Sequence, residues 1–399
     1  MRYYCTEERH PSGGFGSFYL ADVEKSLNKL KKMYKNSIQL IYLDPPFGAS
    51  DTFSLKLKKG QRAVRVPLYR TQLPKEEYLS WMQSVLKACH EMLTPSGCIY
   101  LHIDYRLHAS MKLLLDNIFG EDNLMNEIVW CYKSGGRSTR CFPKRHDTIL
   151  FYRKGRRVFF DIKAVGKPRG TQRRNHMKRF VDEDGRIGFS IRSKGKLYKY
   201  YEDTPIFPSD VWDDIDQLQQ KDRERLGFAM QKPEALLRRI ILASSREGDT
   251  VMDLFCGSGT TAAVAANLGR KFVAVDISPI ALYTLRKRLL TQSSMMSLLD
   301  VGSRELTITY PKDMCDAEID SEVVVKGSTR TLIIHSVNLS GTDAPLIYAA
   351  VGTVKSNCFK PFAINCHPKL PQKIQLPREG EAVLQVVDAY GHQAFISVT

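Results

Sequence analysis

The chain has 399 residues, long enough for a large core and for more than one domain. At 43% hydrophobic and 26% charged it reads as soluble and globular, with no apolar run able to span a bilayer and no apolar signal core in "MRYYCTEERH". A net charge of +16 points to an anionic partner, and nine scattered cysteines without a C-x-x-C pair exclude a zinc cluster or disulfide framework and fit a reducing cytoplasm.

In chain order, "SFYLAD" (17–22) predicts a short strand and "VEKSLNKLKKMY" (23–34) a helix with apolar spacing at Leu27, Leu30 and Met33. "SIQLIYLD" (37–44) predicts a buried strand. Residues 48–74 show no sustained period and several basic residues, and are expected to form a mobile loop. "KEEYLSWMQSVLKACHEML" predicts an amphipathic helix, "TPSGC" a turn and "CIYLHID" a strand. "RLHASMKLLLDNIFG" predicts a helix closed by Gly120, and "NEIVWCY" another strand.

A basic insert is expected at 133–205, beginning with "KSGGRSTR" and containing the strand-like "HDTILFYRKG" and the aromatics Tyr198, Tyr200 and Tyr201. Between Lys133 and Lys199 there are 21 Lys and Arg against 5 Asp and Glu, a surplus as large as that of the whole chain. Such concentration is the footprint of a phosphate-backbone binder. Arg137, Arg140, Lys144, Arg145, Arg173 and Arg174 are the candidate DNA-binding residues within it.

The α/β alternation then resumes with the helix "QKPEALLRRIILASS", the strand "TVMDLF", the helix "GTTAAVAANLG" and the strand "KFVAVDIS". The expected architecture is a doubly wound, mostly parallel sheet. Its expected divisions are a catalytic half at 1–132, the insert at 133–205, a cofactor half at 206–296 and a separate β-rich domain at 297–399. That last domain is built on "ELTITYP", "SEVVVKG", "RTLIIHSVNL", "APLIYAAVG" and "VLQVVDAYG".

Two stretches carry chemistry. In "VMDLFCGSGTTAAVA" a strand runs into a glycine turn, where Gly257 and Gly259 let a ligand approach the backbone, and the next strand ends at Asp276. A carboxylate there can accept from both ribose hydroxyls of a nucleoside. Ala262 stands where a dinucleotide fingerprint has its third glycine, and no G-K-[ST] cradles a phosphate, so S-adenosylmethionine fits better than a nicotinamide dinucleotide.

The second stretch, "QLIYLDPPFGAS", ends a core strand in Asp44, Pro45, Pro46 and Phe47. An exocyclic base amine is a poor nucleophile because its lone pair is delocalised into the ring. Asp44 and the Pro45 carbonyl can accept its two N–H groups, the prolines preorganise both acceptors, and Phe47 offers a face for a base rotated out of the duplex. No Pro-Cys dipeptide is present for a ring-carbon methylation, and no metal site is expected.

Residues 17–290 resemble the β-type amino-methyltransferases of DNA found in bacterial restriction–modification systems. "DPPF" is similar to their catalytic motif, "DLFCGSGTT" to their cofactor motif and "QKPEALLRRII" to the helix before it, in the same order around a basic insert. The resemblance implies a Rossmann-like methyltransferase with permuted motif order. It implies that Asp253, Phe255, Gly257, Gly259, Thr260, Asp276 and Ser278 line the cofactor pocket, that Asp22 contacts the adenine end, and that Lys232 and Pro233 close it. Ala21, Leu254 and Phe228-Ala229-Met230 depart from the family pattern.

The implied activity is methylation of the N6 amine of adenine in a short duplex sequence, favoured over cytosine N4 by Asp rather than Ser before Pro45. A catalytically silent DNA-binding relative and an RNA methylase are the alternatives. Candidate partners beyond double-stranded DNA are a cognate restriction endonuclease and a second copy of the chain, with no membrane. Asp104 is either a site residue or a strand-end cap. His146-Asp147 looks like a catalytic pair but is expected to be a hydrogen-bonded part of a strand, and Trp130 and Trp212-Asp213-Asp214 are expected to serve packing and loop fixing rather than base contacts.

Overall fold

The structure is a computed structural model that describes residues 16–46, 52–59, 62–70, 73–133, 138–169, 176–226, 228, 230–293, 306–309, 316–340, 346–355, 358–366, 372–377, 380–388 and 392–398. Phe47, Arg137, Arg173, Arg174 and Ala229, and the expected boundary at 296/297, lie outside the described residues.

The first unit contains β1 (Gly16–Leu20), α1 (Val23–Tyr34), β2 (Ile38–Leu43), β3 (Thr52–Lys59), β4 (Arg62–Arg70), α2 (Lys75–Met92), β5 (Leu93–Ile103), α3 (His108–Phe119) and β6 (Leu124–Cys131). There follow β7 (His146–Arg153), β8 (Lys167–Pro168), β9 (Lys178–Val181), β10 (Ile187–Ser193), β11 (Lys196–Tyr201), β12 (Pro205–Ile206) and β13 (Val211–Trp212). The chain returns through α4 (Glu234–Ser244), β14 (Thr250–Asp253), α5 (Thr260–Asn267), β15 (Lys271–Asp276) and α6 (Pro279–Ser293). The C-terminal part is β16 (Leu306–Thr309), β17 (Ala317–Lys326), β18 (Thr329–Leu339), β19 (Leu346–Lys355), β20 (Cys358–Cys366), β21 (Gln372–Leu376), β22 (Ala382–Asp388) and β23 (Gln393–Val398).

Nine strands form the central sheet in the order β13-β6-β7-β5-β2-β14-β15-β1-β16. Only β7 is antiparallel to its neighbours; the other pairings are parallel. All six residues of β2 are buried, the mark of a central strand covered by helices on both faces. One face packs Val23, Leu27, Leu30, Met82, Val85, Met111 and Leu115 of α1, α2 and α3. The other packs Leu236, Leu237, Ile240 and Ile241 of α4 with the alanines of α5 and with Ile280, Leu282 and Leu285 of α6.

Several segments differ from expectation. The stretch 48–74 holds the antiparallel hairpin β3–β4, with Leu55 and Leu57 in register with Val66 and Val64. Basic residues between those apolar ones hide the period-two signal; six Lys or Arg and no acid lie between 52 and 70. "HDTILFYRKG", expected inside the insert, supplies β7, which is paired between β5 and β6 in the central sheet. Its buried run Thr148–Tyr152 needs two covered faces, which a solvated insert cannot provide. "ELTITYP" gives β16, the edge strand beside β1 rather than part of a separate domain. "TPSGC", expected as a turn, is extended at the start of β5 beside a register shift.

The insert folds locally as the antiparallel sheet β11-β10-β9 and the small pair β12–β8. Its aromatics carry cations: Arg186 lies 4.1 Å over the Tyr201 ring and Arg169 4.8 Å over Tyr200. The C-terminal strands form the antiparallel sheets β17-β18-β21 and β20-β19-β22-β23. In β19, Ala349 and Val351 face the core of this unit, while Tyr348 and Ala350 join the core around α6. Tyr348 and Tyr283 meet with ring centroids 4.3 Å apart. Among the described residues no helix is long and apolar enough to cross a membrane.

Candidate active site

Parallel pairing aligns the carboxyl ends of β5, β2, β14, β15 and β1 along one edge. Each strand delivers an acid there, giving the row Asp104, Asp44, Asp253, Asp276 and Asp22. Open α/β sheets bind ligands at this edge. The five acids are not equivalent.

Asp276 is buried at the tip of β15. Its Oδ2 accepts the Gly257 N–H at 2.7 Å and its Oδ1 the Ser278 N–H at 2.8 Å. Burial pushes its carboxyl up to about 6, against the lowering effect of those N–H donors. Each oxygen retains acceptor capacity for a ligand hydroxyl. Asp253 turns inward instead: Oδ1 accepts the Phe255 N–H at 2.9 Å and Oδ2 the Thr261 hydroxyl at 2.6 Å, so it braces the turn from below. Burial pushes that carboxyl up to about 7.

The turn requires its glycines for two different reasons. Gly259 has φ +77, and a Cβ there would come within 2.9 Å of Leu285 Cβ and 3.2 Å of its Cα. That glycine lets α5 pack on α6. Gly257 has φ +52, but a Cβ there would meet nothing closer than Phe228 Cε1 at 3.8 Å. This glycine therefore leaves the backbone beside the Asp276 carboxylate open to close approach. Phe255 lies two residues before it, its ring 5.6 Å from Trp81 of α2.

Asp44 follows β2, next to β14 in the sheet, so the carboxylate and the glycine turn are neighbours. Pro45 behind it is buried. Lys232, expected to close the cofactor pocket, reaches Asp44 instead: its ammonium lies 2.5 Å from Asp44 Oδ2. Pro233 caps the N-terminus of α4. The Thr260 hydroxyl donates to the Lys232 carbonyl at 3.2 Å and meets Ser258 Oγ at 3.0 Å.

The remaining acids are occupied locally. Asp22 caps α1, accepting the Lys25 N–H at 3.3 Å. Asp104 accepts the Arg106 N–H at 2.9 Å and its Nε–H at 2.6 Å, which makes it a strand-end cap.

Beneath the edge lies a polar network that joins Asp147, expected to be structural, to Tyr42 and His102, which the sequence did not single out. The Tyr42 hydroxyl is 2.9 Å from His102 Nδ1, and His102 Nε2 is 3.1 Å from Asp147 Oδ2. Burial, then the charges of Asp44, Asp253 and Asp147, push the Tyr42 phenol up, keeping it a neutral hydroxyl. Burial raises the Asp147 carboxyl, but the His102 bond and the charges of His102, Lys232 and His146 together bring it below its ordinary value. Period-two alternation points Tyr42 and His102 into the core; only their nearness in adjacent strands makes them a pair. Trp130 and Trp212 are buried, and their indole N–H groups donate to the Ile215 and Ser209 carbonyls.

The loop between β6 and β7 overhangs the same edge. Arg140, Lys144 and Arg145 are exposed there, and the Lys144 ammonium sits 3.8 Å over the ring of Tyr105, which follows Asp104. Phe142, between them, is 94% exposed.

A mostly parallel sheet with a glycine turn after β14, a buried acid at the tip of β15 and an Asp-Pro-Pro loop after β2 defines a doubly wound α/β protein whose ligand edge lies at those strand ends. Residues 38–287 match the DNA methylase family, and the chain belongs to it. It is 28% identical over 259 residues to the Type II methyltransferase M.BglII of Bacillus subtilis, covering 63% of each chain. Over 301 residues it is 27% identical to the Type II methyltransferase M.HpaI of Haemophilus parainfluenzae, covering 75% of this chain and 82% of that one. The DNA adenine methyltransferase YhdJ of Escherichia coli (strain K12) is 27% identical over 307 residues, covering 75% of this chain and 93% of the relative.

Proposed function

We propose that the chain is a site-specific DNA methyltransferase that transfers a methyl group from S-adenosylmethionine to the N6 amine of adenine in a short duplex sequence. The observation that carries the reading is the adjacency of Asp44 to the glycine turn across the neighbouring strands β2 and β14. It sets amine acceptors beside a nucleoside pocket. The likeness to an adenine methyltransferase of Escherichia coli supports adenine as the base.

When bound, S-adenosylmethionine supplies a methyl group on a sulfonium. Gly257 leaves room for the nucleoside, Asp276 accepts from its ribose and Phe255 borders its base. Asp44 and the Pro45 carbonyl receive the two amine N–H groups, drawing the nitrogen toward tetrahedral geometry and meeting the positive charge that builds on it. The prolines fix φ, so neither acceptor has to be recruited.

Rotating a base out of the duplex costs a few kcal/mol, offset by contacts to the flanking DNA. The exposed Arg140, Lys144 and Arg145, the half-exposed Tyr105 and the fully exposed Phe142 supply cations and stacking faces at the catalytic edge. The proposed setting is the cytoplasm, with a cognate endonuclease as a further partner.

The test is transfer of labelled methyl groups to unmethylated bacterial DNA, with the modified nucleoside identified by mass spectrometry. N6-methyladenine is expected, and Asp44→Ala should abolish its formation. N4-methylcytosine would displace the adenine assignment, and no transfer to any duplex would leave a DNA-binding relative of the enzymes.

A further inference from the structure

Lys232 is a buried cation on an irregular segment, and its surroundings fix it closely. Two residues earlier Met230 has φ +60, a left-handed conformation that costs a non-glycine residue energy. The residue after it, Pro233, opens α4. The carbonyl of Lys232 receives the hydroxyl of Thr260, the first residue of α5. The lysine backbone is thus tied to the glycine turn, while its side chain is only 8% exposed and its ammonium lies on Asp44.

An ammonium removed from water needs a counter-charge, and a flexible four-carbon stem is not held in one place without reason. Asp44 Oδ2 is engaged by Lys232, and Oδ1 has no partner among the described residues. Positive charge grows on the amine nitrogen during transfer, so an ammonium on the oxygen that meets the amine would oppose the reaction. One on the other oxygen costs less and fixes the carboxylate plane.

We propose that Lys232 is a positioning residue for the catalytic acid: held by Thr260 and Pro233, it occupies Asp44 Oδ2 and thereby presents Oδ1 to the target amine. This rests on the function proposed above, in which Asp44 receives that amine. It assigns Lys232 to the acid rather than to the cofactor.

The test compares wild type, Lys232→Met, Lys232→Arg, Asp44→Asn and the Lys232→Met/Asp44→Asn double variant. Three quantities are measured: kcat and KM for duplex DNA, the Kd of S-adenosylhomocysteine by calorimetry, and thermal unfolding without ligand. Lys232→Met should lower kcat by about 100-fold, the cost of displacing a reacting group by roughly 1 Å, with KM and Kd within about threefold of wild type. Lys232→Arg should recover part of kcat. In the Asp44→Asn background the same lysine change should cost less than about threefold more, since it acts through the acid.

Asp44→Asn should also melt lower than the double variant, because it strands a buried ammonium. A tenfold loss of S-adenosylhomocysteine affinity in Lys232→Met with kcat intact at saturation would make the lysine a cofactor ligand and overturn the proposal. Additive effects in the cycle would overturn it too. Should the wild-type protein methylate no DNA, the proposed function fails; the melting cycle and Kd still decide whether Lys232 serves Asp44 or the cofactor pocket.

Discussion

Asp276 links a titration to a binding event, and its replacement by asparagine exposes the connection. Its oxygens accept the Gly257 and Ser278 N–H groups at 2.7 and 2.8 Å. A ribose diol must use the remaining lone pairs, so all four bonds require the ionised, acceptor-only form. The Asp276→Asn amide would turn an NH2 toward one of those N–H donors and lose an acceptor for one hydroxyl. Losing a bond to a charged group costs about 1.5–3 kcal/mol, or roughly 10- to 150-fold in Kd.

Burial has pushed this carboxyl up to about 6. Ligand binding favours the carboxylate, so affinity should be full above that pH and fall as pH drops through it, by at most about tenfold per unit. Calorimetric titration of S-adenosylhomocysteine from pH 5 to 8 is the assay. Wild type should lose affinity below about pH 6, and Asp276→Asn should bind weakly with a flatter profile. A wild-type Kd independent of pH, or an asparagine variant that binds like wild type, would refute the assignment of the ribose to this acid.

Three other outcomes follow from the same geometry. Gly259→Ala should destabilise the fold by about 1–2 kcal/mol for the left-handed backbone plus about 1–3 kcal/mol for the clash with Leu285, measured by denaturant unfolding. Replacing Arg140 and Lys144 together by alanine should weaken binding to all duplexes alike and flatten the salt dependence of log K by roughly 0.9 for each phosphate no longer neutralised; an unchanged slope on titration at several salt concentrations would place the phosphate-binding residues elsewhere. Tyr348→Ala removes a buried ring packed on Tyr283 and should cost about 3–5 kcal/mol of stability, with α6 and the C-terminal strands losing hydrogen-exchange protection together.

The chemistry-bearing stretches were legible because they are local. A continuous apolar run ending in Asp44-Pro45-Pro46, and a glycine turn one strand before Asp276, state strand, turn and ligand edge within a few residues. Apolar spacing placed α1 and α2, and the uninterrupted run of β2 announced a strand buried on both faces. Charge density marked the insert without saying which of its segments leave it. Only tertiary structure moved His146–Arg153 into the central sheet, since a short strand centred on Ile149–Tyr152 reads the same in any sheet and its partner β5 lies far away in sequence.

The hairpin at 52–70 escaped notice because Lys and Arg fill the positions between its apolar residues, so partners across the turn had to be found before its period showed. The Lys232 bond to Asp44 spans 188 residues, and the Tyr42–His102–Asp147 chain joins three strands. Sequence motifs assigned each of these residues a neighbourhood along the chain. A side chain's charge or hydrogen bond is satisfied across space, and the order of strands in the sheet decided which partner each one met.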